Sequence, residues 1–569
     1  MKRFRDGQWV LNFALIFPLA ITLLLLSGPT LSAQEIIDPR SGQLFLSVTD
    51  LTLQAGPVSL EIRRSLQSGQ RQSGLLGTRW RLNWESRLLR AGPLVMIEES
   101  TGSLSFSQQG PAGEYRSALG DRLVFEKTGQ AIRTKPDGTK EIFDAQGRLV
   151  ERDYRNGNRA VVSYGPDGRL AKIDGPHGSF LRFTIDKTGR MTQVEASTTA
   201  TVRYGYQGGE LAEVQRPPAP PIRYSYFTGG QLARIEEPQF GTVQFDYDFK
   251  GRVSRRHWAD GSKERYEYDD PTTKIRQIDP AGGVTTIQWS QDKRRAEITN
   301  PLGHKSVIVS DTVGRPLQIT GPTGASARLT YDALGRTIAM ENPAGQVTRF
   351  DYLGETSRPR AMLRPDGTRQ VFEYDRRGNL TALKLGTETL AAFTYHPDGS
   401  VATAKGVGTP ERRLTYDPAG RLKAVANALG QTTQFQYGTR GNLLQETNPL
   451  GGETRHQYDA QDRPVSRTDP VGGITRYEYD AKGRVKSIID AAGGVNRFDY
   501  DARGRLVAET GPTGLVTKYE YDAAGREVKV VEPGNRITTR RYDTLGNVTG
   551  LTDPLGRWIA TRRPAWSYS

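Results

Sequence analysis

The sequence predicts an all-β fold: a long antiparallel β-ribbon of 21-residue repeats that spirals into a hollow shell. An aromatic anchor, usually tyrosine, recurs about every 21 residues through three-quarters of the chain. Asp, two variable residues, Gly and Arg or Asn usually follow the anchor. A period this strict indicates one small unit stacked many times. The twenty anchors are Phe143, Tyr164, Ile185, Tyr206, Tyr226, Tyr247, Tyr268, Trp289, Ser310, Tyr331, Tyr352, Tyr374, Tyr395, Tyr416, Tyr437, Tyr458, Tyr479, Tyr500, Tyr521 and Tyr542.

One repeat shows why each element is expected to be a strand or a turn. Thr475, Tyr477 and Tyr479 alternate with polar residues, the pattern of a strand with one packed face. Residues 480–483 (Asp-Ala-Lys-Gly) predict a tight turn, because the Asp side chain caps it and Gly accepts positive φ. Residues 484–489 predict the return strand, and residues 490–493 predict a second turn. Each repeat therefore contributes two strands of about six or seven residues.

The number of repeats sets the expected architecture. Twenty units imply about 40 strands, and so wide a ribbon is expected to coil around a lumen, because long twisted sheets do not stay flat. A β-propeller is the competing architecture, since two repeats match the length of one four-stranded blade. Consecutive repeats show no difference between odd and even units, which favours the shell.

The first 33 residues predict a secretory signal peptide. A basic start at residues 2–5 precedes an apolar run from Trp9 to Leu26, and cleavage is expected after Ala33. The alternative is an uncleaved membrane anchor, since the run nearly spans a bilayer, but Pro18 within the run favours cleavage. We therefore expect an exported protein (periplasmic, cell-surface or secreted) with no stable membrane span after cleavage.

The net charge of +15 raises the question of a nucleic-acid partner. Ten arginines occupy one repeat position, directly after the turn glycine, so they recur because the repeat recurs. A nucleic-acid surface needs a clustered basic patch. We expect no nucleic-acid partner, and loose attraction to anionic cell-surface polymers stays open. These arginines are Arg148, Arg169, Arg190, Arg252, Arg315, Arg336, Arg421, Arg484, Arg505 and Arg526.

The repeat resembles the YD repeat of the RHS family. The resemblance rests on the run from Tyr479 to Arg484 (Tyr-Asp-Ala-Lys-Gly-Arg), the 21-residue period and the Asp/Asn-Pro-x-Gly turns. Residues 38–44 (Asp-Pro-Arg-Ser-Gly-Gln-Leu), 51–53 (Leu-Thr-Leu) and 77–84 (Gly-Thr-Arg-Trp-Arg-Leu-Asn-Trp) resemble the β-rich domain that precedes the repeats in bacterial members. The resemblance implies a cocoon that sequesters a C-terminal toxin.

The resemblance divides the chain into four expected parts. These are a signal peptide at 1–33, a β-rich domain at 34–142, the RHS/YD-repeat shell at 143–556 and a short tail at 557–569. Toxin-bearing members end their repeats with Asp-Pro-x-Gly-Leu, where the protein cleaves itself, whereas Arg557 follows Gly556 here. Thirteen residues after Gly556 are too few for a toxin domain. We therefore expect a shell without its own toxin.

No group of residues predicts catalysis. The five histidines are scattered, and no zinc-protease, nucleophile-elbow or phosphate-loop motif is present. The chain has no cysteine, which excludes disulfides and thiol chemistry. Turn aspartates would bind Ca²⁺ only where several oxygen ligands converge. We predict no catalytic, cofactor-binding or metal-binding residue, no cofactor and no enzymatic activity. The histidines are His177, His257, His304, His396 and His456.

Two functions stay open. The first is an exported RHS-repeat shell that encapsulates or presents a toxin polypeptide, with that polypeptide or a second shell chain as its partner. The alternative is a cell-surface adhesion module that binds a carbohydrate or a protein through its exposed turns.

Overall fold

A computed structural model describes residues 34–70, 73–92, 94–109, 113–154, 156–217 and 219–560. The predicted signal peptide and residues 561–569 of the predicted tail lie outside the described residues. Within the described ranges the secondary structure is 53 β-strands and one short 3-10 helix, Pro176–Gly178. The all-β prediction is confirmed.

The strands before the repeats vary in length from two to twelve residues. Strand β3 pairs with β6, and β4 pairs with β5. The strands as far as the first anchor are β1 Gln34–Ile37, β2 Leu44–Ala55, β3 Val58–Gln67, β4 Ser73–Gly74, β5 Gly77–Thr78, β6 Trp80–Leu82, β7 Arg87–Ala91, β8 Leu94–Glu99, β9 Gly102–Gln108, β10 Glu114–Ser117, β11 Arg122–Phe125, β12 Ala131–Thr134 and β13 Lys140–Phe143.

The repeats form a succession of antiparallel hairpins. The next strands are β14 Leu149–Tyr154, β15 Asn158–Tyr164, β16 Leu170–Asp174, β17 Phe180–Ile185, β18 Met191–Ala196, β19 Thr201–Gln207, β20 Glu210–Gln215, β21 Ile222–Tyr226, β22 Leu232–Glu237, β23 Gly241–Tyr247, β24 Val253–Trp258, β25 Lys263–Asp269, β26 Lys274–Ile278, β27 Val284–Trp289, β28 Arg295–Thr299, β29 Lys305–Ser310 and β30 Pro316–Thr320. They continue as β31 Ser326–Tyr331, β32 Thr337–Glu341, β33 Val347–Tyr352, β34 Pro359–Leu363, β35 Arg369–Tyr374, β36 Leu380–Leu385, β37 Glu388–Tyr395, β38 Val401–Gly406, β39 Arg412–Tyr416, β40 Leu422–Ala426, β41 Thr432–Tyr437, β42 Leu443–Thr447, β43 Glu453–Tyr458 and β44 Pro464–Thr468. The last are β45 Ile474–Tyr479, β46 Val485–Ile489, β47 Val495–Tyr500, β48 Leu506–Thr510, β49 Val516–Tyr521, β50 Glu527–Glu532, β51 Arg536–Tyr542, β52 Val548–Thr552 and β53 Trp558–Ala560.

The chain divides into two compact units. Of the described residues, the first unit comprises 34–45, 222–327 and 474–560, and the second comprises those within 46–221 and 328–473. In the first unit, β21 to β30 pair in one uninterrupted antiparallel run in chain order. A run of this length excludes the four-stranded blades of a propeller. The predicted antiparallel ribbon of 21-residue repeats is confirmed.

The repeat that served as the sequence example folds nearly as expected. Strand β45 ends at Tyr479, and the turn closes with the Gly483 amide donating to the Asp480 carbonyl at 2.9 Å. The return strand starts at Val485, one residue later than predicted, and has five residues. Arg484 belongs to the turn, so the return strand starts after it. In the same strand pair, a β-bulge shifts the register between Glu478 and Tyr479.

Each anchor-bearing strand has two faces, because successive side chains point to opposite sides. We call the side with the residues two and four before the anchor the aromatic face, and the side with the residues one and three before it the polar face. In β23, Val243 and Phe245 are buried on the aromatic face, whereas Gln244 is exposed on the polar face. The core of the repeats therefore lies on the aromatic face.

In the second unit, residues 46–84 pack against the early repeats. The Tyr204 hydroxyl donates to Asp50 at 3.0 Å, and Asp50 also pairs with the buried Arg64 at 2.8 Å. The Met191 amide donates to the Leu75 carbonyl at 2.8 Å. These contacts bury the aromatic face of the repeats that they touch.

In the first unit, residues 34–45 make equivalent contacts. Glu35 pairs with Arg256 at 2.8 Å, and the Val253 amide donates to the Gly42 carbonyl at 2.9 Å. The Arg40 guanidinium lies 4.9 Å from the ring centroid of Trp289. The residues before the repeats thus cover a neighbouring part of the ribbon in each unit.

Within each unit the ribbon also returns to contact itself about eleven repeats later, as the predicted spiral requires. In the second unit, Asn158 Nδ2 donates to the Asp398 carbonyl at 2.7 Å across 240 residues. In the first unit, Arg503 pairs with Asp260 at 3.1 Å across 243 residues. The two separations agree closely, so both units have the same winding length.

Candidate functional site

Hydrogen bonds and a cation–π contact between motif residues join each turn to the next repeat. We call this set of contacts the interlock. Asp480 Oδ1 accepts hydrogen bonds from the amides of Lys482 and Arg484, both at 2.9 Å, and Oδ2 accepts Arg484 Nε at 2.8 Å. The Arg484 guanidinium lies 4.6 Å from the ring centroid of Tyr500. The Tyr500 hydroxyl donates to the Val485 carbonyl at 2.8 Å. Arg484 is therefore held by its own turn and packs on the tyrosine of the following repeat.

The same tyrosine bond recurs along the ribbon. In each case the hydroxyl donates to the carbonyl 15 residues earlier. The bond ties neighbouring repeats together whatever the burial of the strands around it. The donors are Tyr164, Tyr206, Tyr247, Tyr268, Tyr352, Tyr374, Tyr395, Tyr416, Tyr437, Tyr458, Tyr500, Tyr521 and Tyr542.

The turn arginines are mostly neutralised by the turn aspartates. Burial alone would raise the pKa of Asp480, but hydrogen bonds from Arg484 outweigh burial and lower that pKa. A fixed ion pair leaves little net charge for a polyanion, so most of the ten arginines do not form a free basic surface. Pairs four residues apart are formed by Arg148, Arg252, Arg315, Arg336, Arg421, Arg484, Arg505 and Arg526, and also by Arg463 and Arg557.

The aromatic face of the late repeats is partly exposed. In the first unit, Tyr477, Phe498 and Tyr519 stand two residues before their anchors and are only half-buried. Equivalent positions are two strands apart, about 9.6 Å. A regular row of partly exposed rings on a fixed backbone can accept another polypeptide, because aromatic side chains bury large areas at little entropic cost. We take this row as the candidate functional site.

A second feature is the junction around His177 in the second unit. His177 has a left-handed backbone (φ 56°), and its Nε2 lies 3.2 Å from Asp398 Oδ2. Gly56 and Gly420 approach the imidazole so closely that a Cβ on Gly56 would meet Nε2 at 2.6 Å and one on Gly420 would meet Cδ2 at 3.0 Å. A cavity of about 410 Å³ adjoins His177 and Asp398. The junction joins three parts of the second unit, at residues 56, 177 and 398–420.

The histidines do not come together. His257 lies 2.9 Å from Asp246, His396 contacts the Leu414 carbonyl at 3.0 Å, and the rings of His456 and Tyr458 are 6.5 Å apart. His304 is exposed. Among the residues that the structure describes, no group of three His, Asp or Glu side chains could hold a metal ion. The predicted absence of catalytic, cofactor-binding and metal-binding residues stays a prediction.

Deeply buried charged groups, such as Glu141, are held in ion pairs. Glu141 is fully buried in the second unit and is contacted by Arg133, Lys135 and Arg152 at 2.8 to 3.1 Å. Burial alone would raise the pKa of Glu141, but these three cations lower it to about 2. The carboxylate is therefore fixed as an anion, and it has no free proton for acid–base chemistry near neutral pH.

Comparison with known proteins agrees with this class of repeat ribbon. A family model described as RHS Repeat matches residues 311–347, 331–369, 416–454, 439–474, 458–495 and 500–537. A second model, Domain of unknown function (DUF6531), matches residues 34–106. The chain therefore contains RHS repeats within residues 311–537.

The similar proteins are much longer than the matched regions. Double-stranded DNA deaminase toxin A of Burkholderia cenocepacia (strain H111) is 29% identical over 159 residues, 26% of this chain and 11% of that protein. The solved structure of TcdB2-TccC3-Cdc42 aligns with a TM-score of 0.49 at 11% identity, over 91% of this chain and 40% of that chain. TcdB2-TccC3 without its hypervariable C-terminal region aligns with a TM-score of 0.36 at 14% identity, over 98% of this chain and 36% of that chain.

The open aromatic face was missed at the sequence level, although a signal for it exists. The residue four before the anchor is apolar in early repeats, for example Leu181 and Val202, and both are fully buried. It is polar in late repeats, for example Thr475, Asn496 and Thr517. Treating the repeats as equivalent concealed this change.

In the described ranges, no helix is long and apolar enough to cross a bilayer.

Proposed function

We propose that this chain is an exported structural module of a toxin system, and that its repeats hold or present a toxin polypeptide. The observation that carries the proposal is the open row of Tyr477, Phe498 and Tyr519 on an interlocked ribbon. The interlock fixes the backbone before any partner arrives, so binding does not have to order the surface. The RHS repeats and the similarity to a named toxin support this assignment.

Encapsulation requires an enclosed interior. We propose that the ribbon surrounds one and that the cargo polypeptide lies inside it. Electron microscopy of residues 34–569 is expected to show low density at the centre of the particle. A solid particle would contradict encapsulation and leave presentation on an open surface.

The proposed module acts without catalysis. We propose export through residues 1–33, no cofactor, and no nucleic-acid partner, since the turn arginines are largely paired with aspartates. The similarity to a deaminase toxin provides a direct check. The purified chain is expected to leave double-stranded DNA unchanged, and turnover of cytosine or adenine would show that the chain is an enzyme.

A photo-crosslinking experiment tests the site. A photoreactive residue at Phe498 would report on the aromatic face, and one at the adjacent Arg497 would serve as the matched control on the polar face. The partner supplied is the polypeptide encoded directly downstream of this chain, co-expressed with it. Crosslinks to the co-expressed polypeptide are expected from position 498 but not from 497. Equal crosslinking to that polypeptide from both positions, or from 497 alone, would contradict the assignment.

A second candidate function is adhesion to a protein through the turns. Leu429, Leu450 and Val471 lie in turns of successive repeats of the second unit and are 84%, 91% and 92% exposed. Exposed apolar side chains at regular intervals favour contact with a partner. Replacing all three with serine is expected to abolish cell binding if adhesion is the function, while leaving crosslinking at Phe498 unchanged.

A further inference from the structure

The polar face of β45, β47 and β49 in the first unit has a regular charge pattern. The residue three before each anchor is basic and exposed, and the residue one before it is acidic and exposed. Because each repeat adds one residue of each sign, the face has a basic row and an acidic row. The basic row is Arg476, Arg497 and Lys518, and the acidic row is Glu478, Asp499 and Glu520.

The pairing register between the strands determines the position of the basic row relative to the acidic row. Ser487 faces Glu478 on one side and Arg497 on the other. Ala508 likewise lies between Asp499 and Lys518. A small residue thus separates each acid from the base of the next repeat, and the two rows run parallel. Along a strand they are two residues apart, about 6.7 Å.

The basic row is the less compensated of the two. Within the described part of the chain, Arg476, Arg497 and Lys518 form no ion pair. In the acidic row, Glu520 pairs with Lys529 at 2.8 Å, and Glu478 accepts a hydrogen bond from the Ser487 hydroxyl. Both rows nevertheless keep exposed charge.

This pattern disfavours an anionic polymer as the partner. A polyanion on the basic row would lie about 7 Å from the acidic row, which is within the Debye length at physiological salt. The acidic row would therefore repel it. A surface that carries one row of each sign is the more complementary partner.

We propose that this face binds the same face of a second copy of the chain. A two-fold axis that lies in the interface, parallel to the rows and midway between them, places the basic row of each copy over the acidic row of the other. Such an interface is isologous, and each ionic contact occurs twice. The contacts are exposed, so the association is weak and depends on salt.

The proposal is independent of the cargo proposal, because the row of aromatic rings is on the opposite face of the same strands. Failure of one therefore leaves the other standing. Phe498 and Arg497 are adjacent in β47 and report on different faces.

Two charge-reversal variants test it. One carries Arg476→Glu, Arg497→Glu and Lys518→Glu, and the other carries Glu478→Lys, Asp499→Lys and Glu520→Lys. Sedimentation velocity of the purified chain is expected to show self-association at low salt that weakens at high salt. Each variant alone is expected to self-associate at least tenfold more weakly, because its two rows then have the same sign. A mixture of the two variants is expected to regain association.

Several results would overturn the proposal. One is a wild-type chain that stays monomeric at every concentration and salt. Another is a mixture that fails to associate although circular dichroism shows both variants folded. A third is a wild-type chain that binds heparin, used as the polyanion probe, while failing to self-associate.

Discussion

Two stretches of the first unit share the 21-residue motif but differ in the burial of their aromatic face. In β23, Val243 and Phe245 are 2% and 1% exposed, whereas the matching residues of β47, Asn496 and Phe498, are half-buried. Both stretches have the interlock, since Tyr247 and Tyr500 donate to carbonyls at 2.9 and 2.8 Å. The interlock therefore maintains the ribbon, and burial of the aromatic face is a separate property.

This difference in burial identifies the repeats whose aromatic face is accessible to a partner. Early repeats have their aromatic face covered by residues of the same unit, as the contact of Glu35 with Arg256 shows. Late repeats keep rings such as Phe498 available. A ribbon that is stable without burial of this face can leave it free for a polypeptide.

The largest expected effect separates the two stretches directly. Phe245→Ala removes a fully buried ring, and we expect a loss of about 3–5 kcal/mol in the free energy of unfolding. Phe498→Ala removes a partly exposed ring at the same repeat position, and we expect a loss of about 1–2 kcal/mol. Urea unfolding followed by tryptophan fluorescence measures both. Equal losses would show that the late face is covered after all.

A smaller effect is expected where the two stretches touch. Gly241 has φ 82°, and a Cβ there would overlap the Ala502 carbonyl oxygen. Gly261 has the same φ with nothing within 4 Å of a Cβ, so it is the matched control. We expect Gly261→Ala to cost about 1–2 kcal/mol from backbone strain alone.

Gly241→Ala is expected to cost clearly more than its control, because the carbonyl must also move. Thermal unfolding of the two variants compares them. If both melt at the same temperature, the return contact does not contribute to stability.

The smallest expected effect concerns the interlock in both kinds of repeat. Burial raises the pKa of Tyr164, in an early repeat, and of Tyr352, in a late one, to about 12. Because the unfolded pKa is about 10, the neutral hydroxyls favour the folded state below pH 10. This stabilisation is lost as the pH rises from 10 towards 12.

Alkaline unfolding curves of Tyr164→Phe and Tyr352→Phe check this expectation. Each variant should lose less stability than the wild type between pH 10 and 12, and by similar amounts. A change confined to Tyr164→Phe would show that the interlock depends on burial of the aromatic face.

The local fold was predictable because each repeat contains the residues that form its turns. Asp480 and Gly483 predicted the turn, and both make the expected contacts. The boundary at Arg484 was missed by one residue, because the bulge and the ion pair with Asp480 depend on the partner strand. The arginine and tyrosine were recognised as motif residues, but their contact across 16 residues appears only once the strands pair.

The candidate site was less predictable than the fold. Tyr477, Phe498 and Tyr519 share the motif position of buried residues such as Phe245, so the motif alone gives no distinction. The return contacts, such as Asn158 with Asp398, join residues 240 apart and have no local sequence signal. They depend on the twist accumulated over many strands.

The sequence by itself determined the period, the strand and turn pattern and the antiparallel ribbon, because each of these is fixed by contacts within one or two repeats. Only the tertiary structure decided which repeats have a covered aromatic face and where the ribbon meets itself. The physical reason is that a 21-residue motif specifies its neighbours, whereas coverage and winding arise from residues far away in the chain.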